Sequence, residues 1–277
     1  MKHSRVPGRV LQGFIAVFLY APILVLIVFS FNATKSRVKF EGFTLDWYAK
    51  LFEDRQVLSA LYLTLVLAVL SALAATVIGT VSAIGLHNMK RRPRKALLAL
   101  NNIPVVNPDI ITGVSLMLVF LLCVSFLRSL GLRAGLGFTT LLLAHVTFNI
   151  PYVILSVMPK LRQLSRNTYE AALDLGANPF QAYRRVILPE IMPGVVSGAI
   201  IAFTMSIDDF LISYFTTGTS VQTLPMVIYA MTRKRISPEI NALSTLMFLT
   251  VLVLLIVINI LQSRDQKEKE RRFRAVS

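Results

Sequence analysis

The sequence predicts an all-α protein that crosses a membrane six times. Hydrophobic residues make up 55% of the 277-residue chain, and the mean hydropathy is +0.66. These residues are gathered in long runs, whereas soluble domains disperse theirs. A hydrocarbon core of about 30 Å needs roughly 20 helical residues. Six runs meet that length: 10–31, 58–86, 109–127, 137–158, 191–216 and 241–262.

The first run, 10–31, is longer than the core of a secretory signal, and no small-x-small cleavage site follows it. We expect it to remain as a signal anchor. The fifth run, 191–216, carries Asp208 and Asp209 near its far end but is otherwise apolar enough to cross.

The stretch 96–108 is apolar but contains Pro104 and Pro108. Proline removes a helical hydrogen bond and disfavours helical geometry in the residue before it. Irregular backbone at membrane depth is tolerated only inside protein or along a water-filled path. The pattern favours a third span that is a broken helix lining a pathway, and a short interfacial helix is the alternative.

The distribution of basic residues predicts the orientation. The two tails and the second and fourth loops hold 19 of the 29 lysines and arginines, and the other three loops hold 10. Because cytoplasmic loops carry the excess of positive charge, both termini are predicted to be cytoplasmic. The predicted organisation is a cytoplasmic N-terminus (1–9), a single transmembrane domain (10–262) and a basic cytoplasmic tail (263–277).

The net charge of +15 suggests nucleic acid only in a soluble protein. Here the charges lie between membrane runs, so we expect lipid contact and no nucleic-acid partner. The chain has one cysteine, Cys123, so it has no intrachain disulfide. It has no clustered metal ligands, no convergent catalytic set and no G-x-x-x-x-G-K-[ST] phosphate loop. We therefore predict no enzyme activity, metal site or bound cofactor.

The fourth loop, residues 159–190, has the pattern of two helices joined by a turn, and we call it the elbow. Asn167 with Glu170 three residues later predicts a capping box at the first helix. Gly176 supplies a left-handed C-terminal residue, and Asn178-Pro179 begins a second helix. We expect Pro189 to end that helix where the fifth span starts.

The spacing in this loop resembles the EAA loop of ABC-importer permeases. Glu170-Ala171-Ala172 is followed after three residues by Gly176 and after nine more by Val186-Ile187-Leu188-Pro189. Val186 is the single departure, because isoleucine is usual there. The resemblance implies that the loop couples to a separate ATPase, with Glu170 as the docking carboxylate, Ala171 and Ala172 beside it, and Gly176 as the turn. It also implies that Leu188 and Pro189 form the hinge into the fifth span.

Ionisable side chains at membrane depth are costly and indicate function. The runs contain Asp109, His145, Asp208 and Asp209, and Glu239 lies near the sixth run. Unpaired carboxylates along a path favour cations, so the four acidic residues are candidate pathway residues. Adjacent Asp208 and Asp209 point about 100° apart on a helix, so at most one is expected to face a narrow path.

Each of these assignments has an alternative. Asp109 can simply cap the helix that resumes after Pro108, and His145 can be a packed, hydrogen-bonded histidine. Four aromatic residues near the carboxylates can hold a cationic amine or merely pack in the bundle: Tyr152, Phe203, Tyr214 and Phe215.

A closer resemblance covers about residues 10–262. It is carried by Ser30-Phe31-Asn32, Gly42-Phe43-Thr44, Trp47-Tyr48, Pro108-Asp109-Ile110, 144–148, 203–209 and 237–243. These segments are similar to the second permeases of spermidine/putrescine importers. The resemblance implies a bacterial inner-membrane subunit for a polyamine cargo. It also implies three kinds of partner: two ATPase copies that carry ATP and Mg²⁺, a second permease and an external binding protein.

Three other functions are weighed against this one. An ABC permease for an amino acid, a metal complex or an anion would share the elbow, but an anion path would need basic residues inside the spans. A channel would not need the elbow, and a membrane enzyme would need a catalytic set.

Overall fold

The computed structural model describes residues 5–36, 39–219, 221–234 and 238–276. Within these ranges the chain is helical, and its only β pairing is an isolated bridge between Asn32 and Phe43. The predicted all-α class is therefore confirmed. The helices are α1 (Arg5–Phe29), α2 (Asp46–Glu53), α3 (Arg55–Asn88), α4 (Arg91–Val106), α5 (Asp109–Ser129), α6 (Phe138–Gln163), α7 (Arg166–Asp174), α8 (Pro179–Ala182), a π-helical turn (Tyr183–Ile187), α9 (Leu188–Asp208), α10 (Leu211–Thr216), α11 (Leu224–Lys234) and α12 (Pro238–Val276).

Among the described residues, six helical stretches are long and apolar enough to cross a membrane. They agree in number and order with the predicted runs, because uninterrupted apolar length is the property that a lipid core selects. The stretches are Leu11–Phe29, Arg55–Asn88, Asp109–Ser129, Phe138–Gln163, Pro179–Asp208 and Pro238–Ile256.

The chain divides into two compact units: one contains the described residues of 1–59 and 227–254, and the other those of 60–226 and 255–277. The single transmembrane domain over 10–262 stays a prediction. In the first unit, the loop after α1 folds around the fully buried side chain of Asn32. That amide donates to the carbonyls of Ser36 and Lys39 and accepts from the N–H of Glu41. The indole of Trp47 donates to the Asn32 carbonyl at 2.8 Å.

The second unit is organised around α6, whose residues Val153 and Val157 have no exposed surface. Glycines on α3 and α9 let those helices approach it closely. A Cβ at Gly79 would lie 2.7 Å from the Val153 Cβ, and one at Gly198 would lie 3.1 Å from the Val153 Cα. One turn away, a Cβ at Gly194 would lie 2.8 Å from the carbonyl oxygen of Ser156. Small residues four apart are the usual means of close helix packing in membranes.

The stretch 96–108 differs from the expected broken span. It lies mostly in α4, a separate 16-residue helix that passes Pro104 without interruption and buries none of its residues. The break falls at Asn107, whose ψ of 143° is extended, because the following Pro108 disfavours helical geometry there. The third span, α5, is continuous from Asp109 to Ser129.

The predicted fifth span, 191–216, is wrong at its far end. Helix α9 stops at Asp208, Asp209 is extended with ψ 124°, and α10 begins two residues later. The Asp209 carboxylate accepts hydrogen bonds from the backbone N–H groups of Ile212 and Ser213 at 3.2 and 2.7 Å. The side chain therefore starts a new helix instead of continuing the old one, and apolar run length does not reveal such a break.

Candidate functional site: the elbow and a carboxylate pair

The first helix of the elbow begins earlier than predicted. Ser165, not Asn167, is the N-cap of α7, and its hydroxyl accepts from the N–H of Asn167 at 3.4 Å. The predicted capping box of Asn167 and Glu170 is therefore wrong. Serine and asparagine both cap well, and the end of the preceding helix at Gln163 selects the serine. Glu170 lies in the middle of α7 and is exposed.

The turn of the elbow is the one that the sequence predicts. Gly176 has φ +85°, its N–H donates to the Leu173 carbonyl at 2.9 Å, and the N–H of Ala177 donates to the Ala172 carbonyl at 3.1 Å. These two bonds form a Schellman motif, which satisfies the last carbonyls of α7. Asn178 then caps α8 and exchanges hydrogen bonds with Gln181 at 2.8 and 3.2 Å, with Pro179 at the first helical position.

The second helix does not end at Pro189, which corrects the sequence prediction. It continues through the π-helical turn Tyr183–Ile187 into α9, where Pro189 occupies the first turn. Proline cannot donate to the carbonyl four residues earlier, and its ring crowds that carbonyl. A π turn holds one extra residue and loosens the helix at this point. Leu188 and Pro189 therefore lie where the elbow joins the fifth span.

The tip of the elbow exposes apolar side chains. Leu175 is 89% exposed and Phe180 is 70% exposed, on either side of the glycine turn. Ala171 is exposed beside Glu170, whereas Ala172 is buried. An exposed apolar patch next to a rigid turn is typical of a protein-docking surface. The motif did not single out Leu175 and Phe180, although large apolar residues flanking a Gly-x-Asn-Pro turn are a usable signal.

Two of the predicted pathway carboxylates lie within electrostatic range of each other in the second unit. Asp109 begins α5 and Asp208 ends α9, and both side chains are exposed. The Asp109 carboxylate lies within electrostatic range of the Asp208 carboxylate and of the Tyr152 hydroxyl on α6. The N-cap of α5 is Pro108, and Asp109 is the acidic residue in the first turn of that helix. Three helices thus present two carboxylates and a phenol to one region, an arrangement suited to a cationic ligand.

Asp209 is placed differently from Asp208. Besides its bonds to α10, its Oδ2 lies 3.5 Å from Nε2 of His145, which is fully buried. The same Nε2 lies 3.0 Å from the Ser213 hydroxyl. This network links α6 to the break between α9 and α10, which explains why a membrane helix carries a histidine. His145 is a packed, hydrogen-bonded residue, and Ser213 is a partner that sequence reasoning missed.

The other two candidate pathway residues are not part of the carboxylate pair. Tyr214 on α10 is 53% exposed, and its ring contacts those of Phe210 and Phe215 at centroid distances of 5.6 and 5.5 Å. Glu239 lies in the first turn of α12 and is half-buried in the first unit. Among the described residues, no cluster of three or more His, Cys, Asp or Glu side chains could hold a metal ion.

Replacing Asp209 with alanine is expected to destabilise the protein without changing its affinity for cargo. The substitution removes both acceptors of the α10 amides and leaves His145 without its anion, at a cost of about 1–3 kcal/mol. The melting temperature of the purified transporter should fall, and the amount of active protein should fall with it, while KM for uptake stays unchanged. Asp208→Ala is the matched control, and it should leave melting unchanged and raise KM. A raised KM with normal melting in Asp209→Ala would contradict this assignment.

Comparison with known proteins agrees with this architecture. Residues 75–266 match the family of binding-protein-dependent transport system inner membrane components. The putrescine transport system permease protein PotI of Escherichia coli K12 is 39% identical over 96% of this chain and 95% of its own length. The spermidine/putrescine transport system permease protein PotC of the same strain is 38% identical over 94% of this chain and 96% of its own length.

Solved structures show the same fold at lower sequence identity. A bacterial ABC transporter that imports the acidic polysaccharide alginate has a chain with TM-score 0.74 and 18% identity, covering 94% of this chain and 95% of that one. A chain of the MetNI methionine ABC transporter in an inward-facing conformation has TM-score 0.62 and 19% identity, covering 75% of this chain and 95% of that one.

The chain therefore belongs to the binding-protein-dependent inner-membrane component family. It is a non-catalytic permease subunit of an ABC importer and a multi-pass protein of a bacterial inner membrane.

Proposed function

We propose that this permease subunit forms half of a translocation pathway for polyamines such as spermidine and putrescine. The observation that carries the proposal is the exposed pair of Asp109 on α5 and Asp208 on α9, which lie within electrostatic range of each other, with Tyr152 within range of Asp109. Aliphatic polyamines carry several ammonium groups, which carboxylates and aromatic faces bind favourably. The names of the two Escherichia coli relatives, which include putrescine and spermidine, support the same cargo.

The elbow is proposed to connect this pathway to a separate ATPase. Glu170, Ala171 and the exposed Leu175 and Phe180 supply a charged and apolar surface around the Gly176 turn. Movement of α7 reaches the fifth span through Leu188 and Pro189, because the chain is helical from Pro179 to Asp208. Two ATPase copies would hold ATP and Mg²⁺, and a second permease would supply the other half of the pathway.

An external binding protein would deliver the cargo, and the termini would face the cytoplasm together with the elbow. The excess of basic residues in the tails and in the second and fourth loops supports that orientation. The elbow joins α6 to the fifth span, so the same orientation gives it access to a cytoplasmic ATPase.

Uptake competition tests the cargo. The complete importer is reconstituted in vesicles with ATP on the cytoplasmic side, and uptake of labelled spermidine is measured against excess spermidine, putrescine or ornithine. Spermidine and putrescine are expected to reduce uptake of the label, and ornithine is expected to have little effect because its carboxylate is repelled by Asp109 and Asp208. Equal competition by ornithine, or no spermidine uptake by an importer that hydrolyses ATP, would overturn the polyamine assignment.

A further inference from the structure

A cavity of about 640 Å³ lies between the elbow and the ends of two membrane helices. Its walls come from the last turn of α3, the first turn of α4, the last turn of α6, the start of α7 and the π turn. This volume is within the range of small-molecule sites, which is about 300–1,000 Å³. The cavity is open on one side, so a ligand can enter from the surrounding medium.

The walls of this cavity are cationic. Arg94 and Arg162 line it from α4 and α6, and no aspartate or glutamate is among its described lining residues. Neither arginine forms an ion pair with a carboxylate in the part of the chain that the structure describes. Arg94 is half-buried and is held in place by a hydrogen bond from its Nη1 to the His87 carbonyl at 3.3 Å. Guanidinium groups without an anion partner are well suited to bind the oxygens of a carboxylate or a phosphate.

Neutral hydrogen-bonding groups complete the lining. The hydroxyl-bearing residues Ser165, Tyr169 and Tyr183 all contribute to the walls. The Tyr183 hydroxyl accepts from the Asn88 amide at 2.6 Å, and its ring packs against that of Tyr169 at 5.1 Å. Ser165 is the N-cap of α7, so the positive end of that helix dipole also lies at the cavity, opposed by the negative C-terminal ends of α3 and α6.

We propose that this cavity binds a phosphate-bearing anion. Planar guanidinium groups match the oxygens of a phosphate, and basic pockets at the ends of membrane helices bind phospholipid headgroups. The phosphate belongs either to an anionic phospholipid of the bilayer or to a small soluble phosphate ester. The bound anion contacts the ends of α3 and α6 on one side and the elbow on the other. This site is independent of the cargo and of the polyamine proposal.

The test is binding to the purified intact importer in nanodiscs. In one arm the discs contain phosphatidylcholine with a few copies of phosphatidylglycerol, and lipid retained after detergent extraction is counted by native mass spectrometry. In the other arm the discs contain only phosphatidylcholine, and radiolabelled glycerol 3-phosphate is titrated. Retained phosphatidylglycerol identifies a lipid ligand, and saturable binding of glycerol 3-phosphate identifies a soluble one. Either result supports the proposed site if substitution of Arg94 and Arg162 weakens the binding that is measured.

The variant Arg94→Gln with Arg162→Gln is expected to weaken binding about tenfold or more, as the loss of two charge-assisted contacts implies. Arg91→Gln with Arg92→Gln is the matched control, because it also removes two positive charges, but from positions on α4 that do not line the cavity. Arg94→Lys with Arg162→Lys keeps the charge and should retain part of the binding, which guards against misfolding as the explanation. No binding in either arm, or equal loss in the control pair, would overturn the proposal.

Discussion

An importer whose permease carries Glu170→Lys and Gly176→Asp is expected to lose at least about nine-tenths of its ATP-driven uptake, while its ATPase subunits still hydrolyse ATP. This size of loss is expected because a change at a hot spot of a docking surface costs about 2 kcal/mol or more of binding free energy. The lysine reverses the charge of the exposed carboxylate on α7. The aspartate places a Cβ at φ +85°, where L side chains are strained. That strain disrupts the two Schellman bonds and changes the direction in which the tip of the elbow points.

Measurement of uptake and ATP hydrolysis on the same preparation separates uncoupling from loss of protein. Gly131→Asp is a matched control for strain, because Gly131 has φ +80° and an added Cβ there would meet open space. Both properties are shared with Gly176. It lies in the loop between α5 and α6, at the other end of α6 from the elbow. Normal uptake by the double variant, or an equal defect in Gly131→Asp, would show that the elbow does not carry the coupling.

Neutralising the carboxylate pair is expected to weaken polyamine transport in proportion to the charge of the cargo. Asp109→Asn with Asp208→Asn keeps the size of both side chains and removes two negative charges from the region shared by α5, α6 and α9. Each lost attraction is worth about 1–4 kcal/mol at 4 Å, depending on the local dielectric constant. We expect KM to rise about tenfold or more, and more for a trivalent amine than for a divalent one.

Initial rates of spermidine and putrescine uptake over a range of concentrations give both KM values. Asp46→Asn with Glu53→Gln is the matched control, because it removes the same charge from exposed positions on α2. The Tyr152→Phe variant adds a finer test: it keeps the aromatic face and removes only the hydroxyl near Asp109. An unchanged KM for both cargoes in the Asp109/Asp208 variant would exclude the pair from the pathway.

The parts of the fold that the sequence predicts well are those governed by local chemistry. Six apolar lengths give six spans, and a Gly-x-Asn-Pro turn gives the Schellman motif and the cap that follows it. Errors arise where two local choices are equally good. Ser165 and Asn167 can each cap a helix, and the end of α6 decides between them. Pro189 can end a helix or occupy its first turn, and the π turn before it permits the second.

The candidate site is less predictable, because it depends on which distant residues meet. Neither the approach of Asp109 to Asp208 nor the contact of His145 with Asp209 follows from spacing along the chain. The sequence did indicate that adjacent aspartates must diverge. The structure adds which way each one points: Asp209 has backbone amides and an imidazole as partners, whereas Asp208 is exposed.

The π-helical turn Tyr183–Ile187 also acts as a phase shift between the elbow and the fifth span. One residue fewer would restore the α-helical register and rotate α7 and α8 about the axis of α9 by about 100°, with a displacement of about 1.5 Å. The azimuth at which the elbow meets its partner is thus encoded by a single inserted residue. A chimaeric permease that joins this elbow to a span from another protein must keep the inserted residue. Without it the elbow sequence is intact, but α7 and α8 project from the wrong side of the fifth span.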